Sequence, residues 1–254
     1  MNEKILALTV LLILSGCSHA LDQAVEKKAA QYKGYDELLS SITPVEYKNH
    51  TYYWVDYTRN LMPSGGLLLD NNTEPVEDLE TLKLFAEADM IRKNYPESSV
   101  GQWMQFSNYF SSASQAFAQS DPVLSNESRR IADLLAYSAV YLNGSIKSFS
   151  PGYAAEYLSY EEKALNELSA AYERTTPSDS NPYMNEYRDS LKNIRSILQN
   201  NRDGIDKASN YTAEVMQERV AAEKSRSTAD MSMIGAAALL AVFVLFFIRR
   251  RKKQ

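Results

Sequence analysis

The run from Met231 to Ile248 contains eighteen residues without a charge and leads directly into Arg249-Arg250-Arg251-Lys252-Lys253. At about 1.5 Å per residue, a helix of that length covers roughly 27 Å, close to the hydrocarbon thickness of a bilayer, about 30 Å. A buried core helix has no reason to be followed by five consecutive cations, and such a cluster holds its end of a span on the cytoplasmic side. The pattern predicts a transmembrane helix over 231–248 and a cytoplasmic basic tail over 249–254. It also places the residues ahead of the span on the other face of the membrane.

The N-terminal end carries a second signal. Lys4 precedes an apolar core from Ile5 to Leu14, and small residues follow, the layout of a secretory signal over 1–16 that is too short to span. Leu14-Ser15-Gly16-Cys17 resembles the lipobox of prokaryotic lipoproteins. That resemblance implies cleavage before Cys17 and a lipid on its thiol. Cys17 is the one cysteine of the chain, so no intrachain disulfide can form. Ordinary cleavage after Ser18-His19-Ala20, which would discard Cys17, is the competing expectation. In lipoproteins of double-membraned bacteria, a residue such as Ser18 after the cysteine implies transfer to the outer membrane, which conflicts with a retained inner span. A single-membrane bacterium or an archaeon fits the pairing better.

Setting both ends aside leaves 21 basic and 31 acidic side chains in residues 18–230. A surface of about −10 repels phosphate backbones, so nucleic acid is not an expected partner. Membrane lipid and a protein or surface partner are. Five Asn-x-Ser/Thr sequons, at Asn49, Asn71, Asn126, Asn143 and Asn210, are candidate N-glycosylation sites in an exported chain.

Leu21, Val25, Tyr32, Tyr35, Leu39 and Ile42 fall near a helical period, which predicts an N-terminal helix within 17–42 that Thr43-Pro44 ends. Residues 43–78 are rich in aromatic and β-favouring side chains. Glu46–Tyr57 reads as a strand, Pro63-Ser64-Gly65-Gly66 as its turn, and Leu67-Leu68-Leu69 as the return strand of one small β-hairpin, followed by a short strand at Pro75-Val76. Asp78 is placed to cap the next helix. From 79 to 176 the period is helical, broken at Tyr95-Pro96, Asp121-Pro122 and Ser150-Pro151-Gly152. Trp103, Phe106, Phe110, Ala113 and Phe117 form one stripe, and the breaks are short enough for a helical bundle. Residues 177–230 form the longest segment: a helix from Tyr183 to Lys224 would reach roughly 60 Å. Gly204 is its expected bend and Ser225–Ser232 its joint to the span. The fold class is thus mainly α, a helical-bundle ectodomain of five or six helices with one β-hairpin, a membrane-proximal helix and a C-terminal span.

No catalytic residue, cofactor or metal site is expected. The mature chain has at most two histidines, His19 at the cleavage site and His50, too few for the usual nucleophilic triads and zinc sets. Gly65-Gly66 reads as a turn rather than a phosphate loop, and Glu161-Glu162 or Asp203 with Asp206 read as carboxylates on solvated helix faces. The aromatic patch is the one candidate binding platform: alternation puts Tyr53 and Tyr57 on one strand face and Tyr52 and Trp54 on the other. The expected role is a non-enzymatic, membrane-anchored extracytoplasmic surface or accessory protein. The alternatives are an extracytoplasmic sensor or transporter-accessory subunit acting laterally through its span, and a carboxylate-dependent surface enzyme.

Overall fold

The computed structural model describes residues 23–177 and 182–251, with side chains through residue 229. The signal segment 1–16 and Cys17 lie outside the described residues, and the apolar stretch 231–248 is described in its backbone only. The chain is mainly helical with a small three-stranded sheet. The elements are α1 (23–31), β1 (Leu38–Tyr47), β2 (His50–Arg59), β3 (Met62–Leu69), α2 (Leu79–Asn94), α3 (Ser98–Phe117), α4 (Pro122–Lys147), α5 (Pro151–Arg174) and α6 (Pro182–Arg251). Among the described residues no helix is long and apolar enough to cross a membrane.

Three expectations are corrected. The N-terminal helix does not run to Ile42: it ends at residue 31, and Leu39 and Ile42 belong to β1, the strand that turns the expected hairpin into a sheet of order β1-β2-β3. The turn is not at Pro63–Gly66. Both hairpin turns are two-residue loops with positive φ at each central position, Lys48 (49°) with Asn49 (63°), and Asn60 (51°) with Leu61 (65°). That is the type I′ pattern, whose twist suits adjoining antiparallel strands. Pro63, Ser64, Gly65 and Gly66 instead lie within β3. The register shifts there, since Tyr57 pairs with Gly65 and Thr58 with Pro63, so Ser64 is the extra residue of a bulge. Lastly, α6 continues without a break through 225–232, where a joint was expected.

The helix starts follow the sequence signals. Asp78 accepts hydrogen bonds from the Thr81 backbone N–H (2.8 Å) and hydroxyl (2.6 Å). Asp121 accepts from Val123 N and Leu124 N ahead of α4, and Ser150 from Tyr153 N ahead of α5. Pro122 and Pro151 occupy the first helical positions, where no intrahelical donor is lost.

The chain divides into two compact units. One comprises Pro44–Tyr52 and Asp78–Glu214. Its core takes Trp103, Phe110 and Phe117 from α3, Ile131, Leu135 and Leu142 from α4, Leu158, Leu165 and Leu168 from α5, and Tyr187, Leu191, Leu198 and Ile205 from α6. Tyr187 is fully buried between Phe110 and Phe117 and shares a 2.7 Å hydrogen bond with Ser128, which satisfies its hydroxyl. Consecutive helices pack on each other, α3 on α4 and α4 on α5. The other unit comprises the described residues within Met1–Thr43, Tyr53–Glu77 and Val215–Gln254. Val25 and Ala29 of α1, Tyr53, Val55 and Tyr57 of β2, Leu67 and Leu69 of β3, and Val220 of α6 form its core.

Leu61 holds a left-handed conformation with its side chain 92 % exposed, so it bears steric cost with no packing in return. Leu61→Gly should raise stability by about 1 kcal/mol, the left-handed penalty of an L-residue. Urea denaturation checks this, and an unchanged or lower midpoint would remove the I′ assignment of this turn.

Candidate functional site

The most tightly organised polar centre of the sheet-containing unit joins residues from opposite ends of the sequence. Arg219 of α6 extends a guanidinium fork to Glu37, with Nη1 donating to Oε2 at 2.7 Å and Nη2 to Oε1 at 3.0 Å. Nη1 also donates to the carbonyl of Tyr32 (2.9 Å), and the guanidinium stands 4.3 Å from the centroid of the Tyr57 ring. Tyr57 in turn donates its hydroxyl to the Ala29 carbonyl at the end of α1, at 2.7 Å. Glu37 is 4 % exposed and also accepts from the backbone N–H of Gly34 (2.8 Å). Two charges removed from water this far need matched lone pairs and protons; the bidentate fork together with Gly34 satisfies Glu37, while Arg219 Nε is left without a partner.

Electrostatics follow from these contacts. The hydrogen bonds from Arg219 hold the Glu37 carboxyl down to about 2, against a smaller opposing effect of burial. Burial pushes the Tyr57 hydroxyl well above its usual range. Around this centre, α6 is fixed to the loops after the sheet by Gln217 Nε2 donating to the Glu77 carbonyl and by a Lys224–Glu77 ion pair, while Lys28 of α1 pairs with Glu74 at 3.1 Å. An open groove of about 300 Å³ lies alongside, between Tyr32, Arg59, Glu218 and Arg226.

Gly66 explains how α6 comes so close to the sheet. A Cβ placed there would stand 2.5 Å from the Met216 methyl and 3.0 Å from the Val55 carbonyl oxygen. The glycine marks a close backbone approach within a strand.

The aromatic platform expected at Tyr52 and Trp54 is corrected. Trp54 is 1 % exposed, and Tyr52 lies edge-on to Phe85 with centroids 4.9 Å apart. Tyr53, Trp54, Val55 and Tyr57 are all buried and Tyr52 is partly covered, so β2 does not present the paired rings of a platform. A run of stacked, partly exposed tyrosines lies on α4 and α5. Tyr160 stacks on Tyr137 (5.2 Å) and on Tyr141 (5.4 Å, 11° between planes), and Tyr141 meets Tyr153 at 6.2 Å. Lys163 stands 4.7 Å from the centroid of the Tyr160 ring, and Tyr137 and Tyr153 remain about half exposed. The i, i+4 pair Tyr137/Tyr141 was a readable signal; its cross-helix partners were not.

The sequons separate by environment. Asn49 is exposed at the tip of the β1–β2 turn, and Asn71 is exposed in the loop after β3. Asn126, Asn143 and Asn210 sit within helices. The hydroxyl residue of the first two, Ser128 and Ser145, is buried at 0 % and 1 %. Asn210 is exposed, with Thr212 Oγ1 donating to the Ala208 carbonyl. His50 is exposed at the start of β2. The two carboxylates of Glu161-Glu162 part company, the first at 0 % exposure and the second solvated, and Asp206 lies 3.4 Å from Lys83. Compared with family models, curated proteins and solved structures, the chain matches none.

A carboxyl held below its unfolded value contributes stability that is complete above about pH 4.5 and is lost as pH falls toward about 2. In a Trp103→Phe background, where Trp54 reports on this unit alone, Trp54 emission should shift to the red across that interval, and Glu37→Gln should flatten the transition. Arg219→Lys keeps the charge but loses the fork, and should lower stability by about 2–3 kcal/mol. An acid-insensitive Trp54 signal in the parent would dismiss the clasp as a stability element.

Proposed function

We propose that this chain is a non-enzymatic extracytoplasmic accessory protein held to a membrane at both ends, by a lipid on Cys17 and by a transmembrane helix over 231–248. The observation that carries the reading is that the described segments next to the two anchors share one core. Val25 and Ala29 of α1 pack with Val220 of α6, and Arg219 is bonded to Tyr32 and Glu37. Cys17 lies eight residues before Val25, a reach of at most about 28 Å for an extended chain. Met231 lies eleven helical residues after Val220, about 16 Å along the axis. A lipid anchor and a span leaving one small unit within those distances are compatible with a single membrane face.

The unbroken backbone of α6 from Pro182 to Arg251 supports a span that continues the membrane-proximal helix without a flexible joint. The basic residues after Ile248 set the C-terminus in the cytoplasm in this reading. Glycans on Asn49 and Asn71, both exposed in turns, belong to the same proposal. The half-exposed tyrosine run on α4 and α5 supports a display role for the helical unit, since amphipathic rings of this kind are enriched where proteins meet partners.

Membrane fractionation of variants expressed in a single-membrane bacterial host tests the double attachment. Cys17→Ser alone and deletion of 231–248 alone should each leave the protein in the membrane fraction, and the combination should release it. Release by deletion of 231–248 alone would remove the lipid from the proposal; retention of the double variant would remove both anchors as the cause of attachment.

A further inference from the structure

Within the helical unit, two carboxyl groups are buried where three helices meet. Glu161 on α5 is fully buried. Its Oε1 accepts a hydrogen bond from Tyr157, one turn earlier, at 3.1 Å, and its Oε2 has no partner. Glu87 on α2 is 8 % exposed, with Lys83 Nζ 3.8 Å away. α6 presents Arg202 and Asp206, one turn apart, to both groups. Arg202 is already engaged: Nη1 donates to the Leu158 carbonyl (3.0 Å), Nη2 faces Glu162 (3.4 Å), and Nε lies 3.9 Å from Asp206. Lys83 also faces Asp206 at 3.4 Å. The groups acting on the two carboxyls are thus Lys83 from α2 and Tyr95 just after it, Tyr157 from α5, and Arg202 and Asp206 from α6.

This arrangement suits a neutral Glu161 and not an ionised one. A protonated carboxyl needs few partners, and Tyr157 supplies one. An ionised carboxylate needs donors at both oxygens, and the nearest cation, Arg202, would have to leave Leu158 and Glu162 to reach it, or water would have to enter between α5 and α6. We propose that Glu161 and Glu87 form a proton-operated switch on the seating of α6 against α2 and α5, with the helical unit tight when both are protonated and loosened when they ionise. Burial pushes Glu161 up to about 8, against the opposing pull of Tyr157 and Arg202, and pushes Glu87 up to about 7, against Lys83. Both lie above the value of an unfolded glutamate, so the stability they contribute is complete below about pH 4.5 and is lost as pH rises through about 7 to 8. An extracytoplasmic face is where such a change of proton activity would be met.

The test uses the full chain in mild detergent from pH 5 to pH 9, following the protonated-carboxyl infrared band together with amide exchange across residues 198–210. The wild type should lose a carboxyl band between pH 6 and pH 9, with at least tenfold faster exchange in that part of α6. Glu161→Gln should remove about half of the band change, the half at higher pH, and Glu161→Gln with Glu87→Gln should remove the rest and hold exchange slow at every pH. Tyr157→Phe, which removes the donor to the ionised form, should move the band's midpoint to higher pH. The proposal falls if no carboxyl titrates above pH 6, if the band is lost without faster exchange, or if the double variant keeps the wild-type pH response. The wild-type measurement decides the matter even where a variant does not fold.

Discussion

The fork between Arg219 and Glu37 is the interaction on which the sheet-containing unit depends. Its partners lie 182 residues apart, and the same guanidinium reaches the end of α1 through the Tyr32 carbonyl and covers the ring of Tyr57. Remove it and a carboxylate at 4 % exposure loses its two guanidinium donors and keeps Arg59, 3.9 Å away, as its cation. The hydrophobic part of that core is modest, about eight buried side chains. Geometry at one polar contact therefore has to supply the specificity that a larger unit would get from packing.

The helical unit rests on a different balance. Its core is large and aromatic, its helices start at capping residues visible in the sequence, and its polar tension is internal. Glu161 carries an oxygen without a partner where an apolar side chain would have been satisfied. An ionisable group retained at that cost has a physical signature opposite to that of Glu37: burial dominates one, and a matched cation dominates the other. Proton activity thus acts with opposite sign on the two units of one chain.

Much of this was legible in residue order. Asp78 caps a helix as expected, the breaks at Asp121-Pro122 and Ser150-Pro151-Gly152 fall between helices, and the stripe Trp103, Phe110 and Phe117 is core, because helix caps and a 3.6-residue period are local properties. The sheet was less legible. Leu39 and Ile42 fit a helical period as well as a strand, and only pairing with β2 decides between them. Gly65 and Gly66 carry the composition of a turn, yet they serve a bulge and the close approach of Met216, a contact from 150 residues away. Tyr52 and Trp54 looked like a platform because alternation cannot tell a strand covered on one face from one covered on both. Glu161 was unreadable for the same reason: its neighbour Glu162 has the same chemistry and is solvated.

The division of the chain into its two units bears on the order of assembly. One is drawn mainly from a continuous stretch, Asp78–Glu214, and the other from three separated pieces, the described residues before Pro44, Tyr53–Glu77, and those from Val215 on. Loop-closure entropy favours the contiguous unit, whose helices pack on their sequence neighbours, while the discontinuous one must wait for residue 219 to emerge. For a chain made and delivered N-terminus first, α1 and the sheet are produced early yet cannot be locked until nearly everything else has arrived. Until then the strands expose their edges and their apolar faces, so the speed at which the rest of the chain arrives, rather than equilibrium stability, sets how long this protein is open to strand-mediated aggregation.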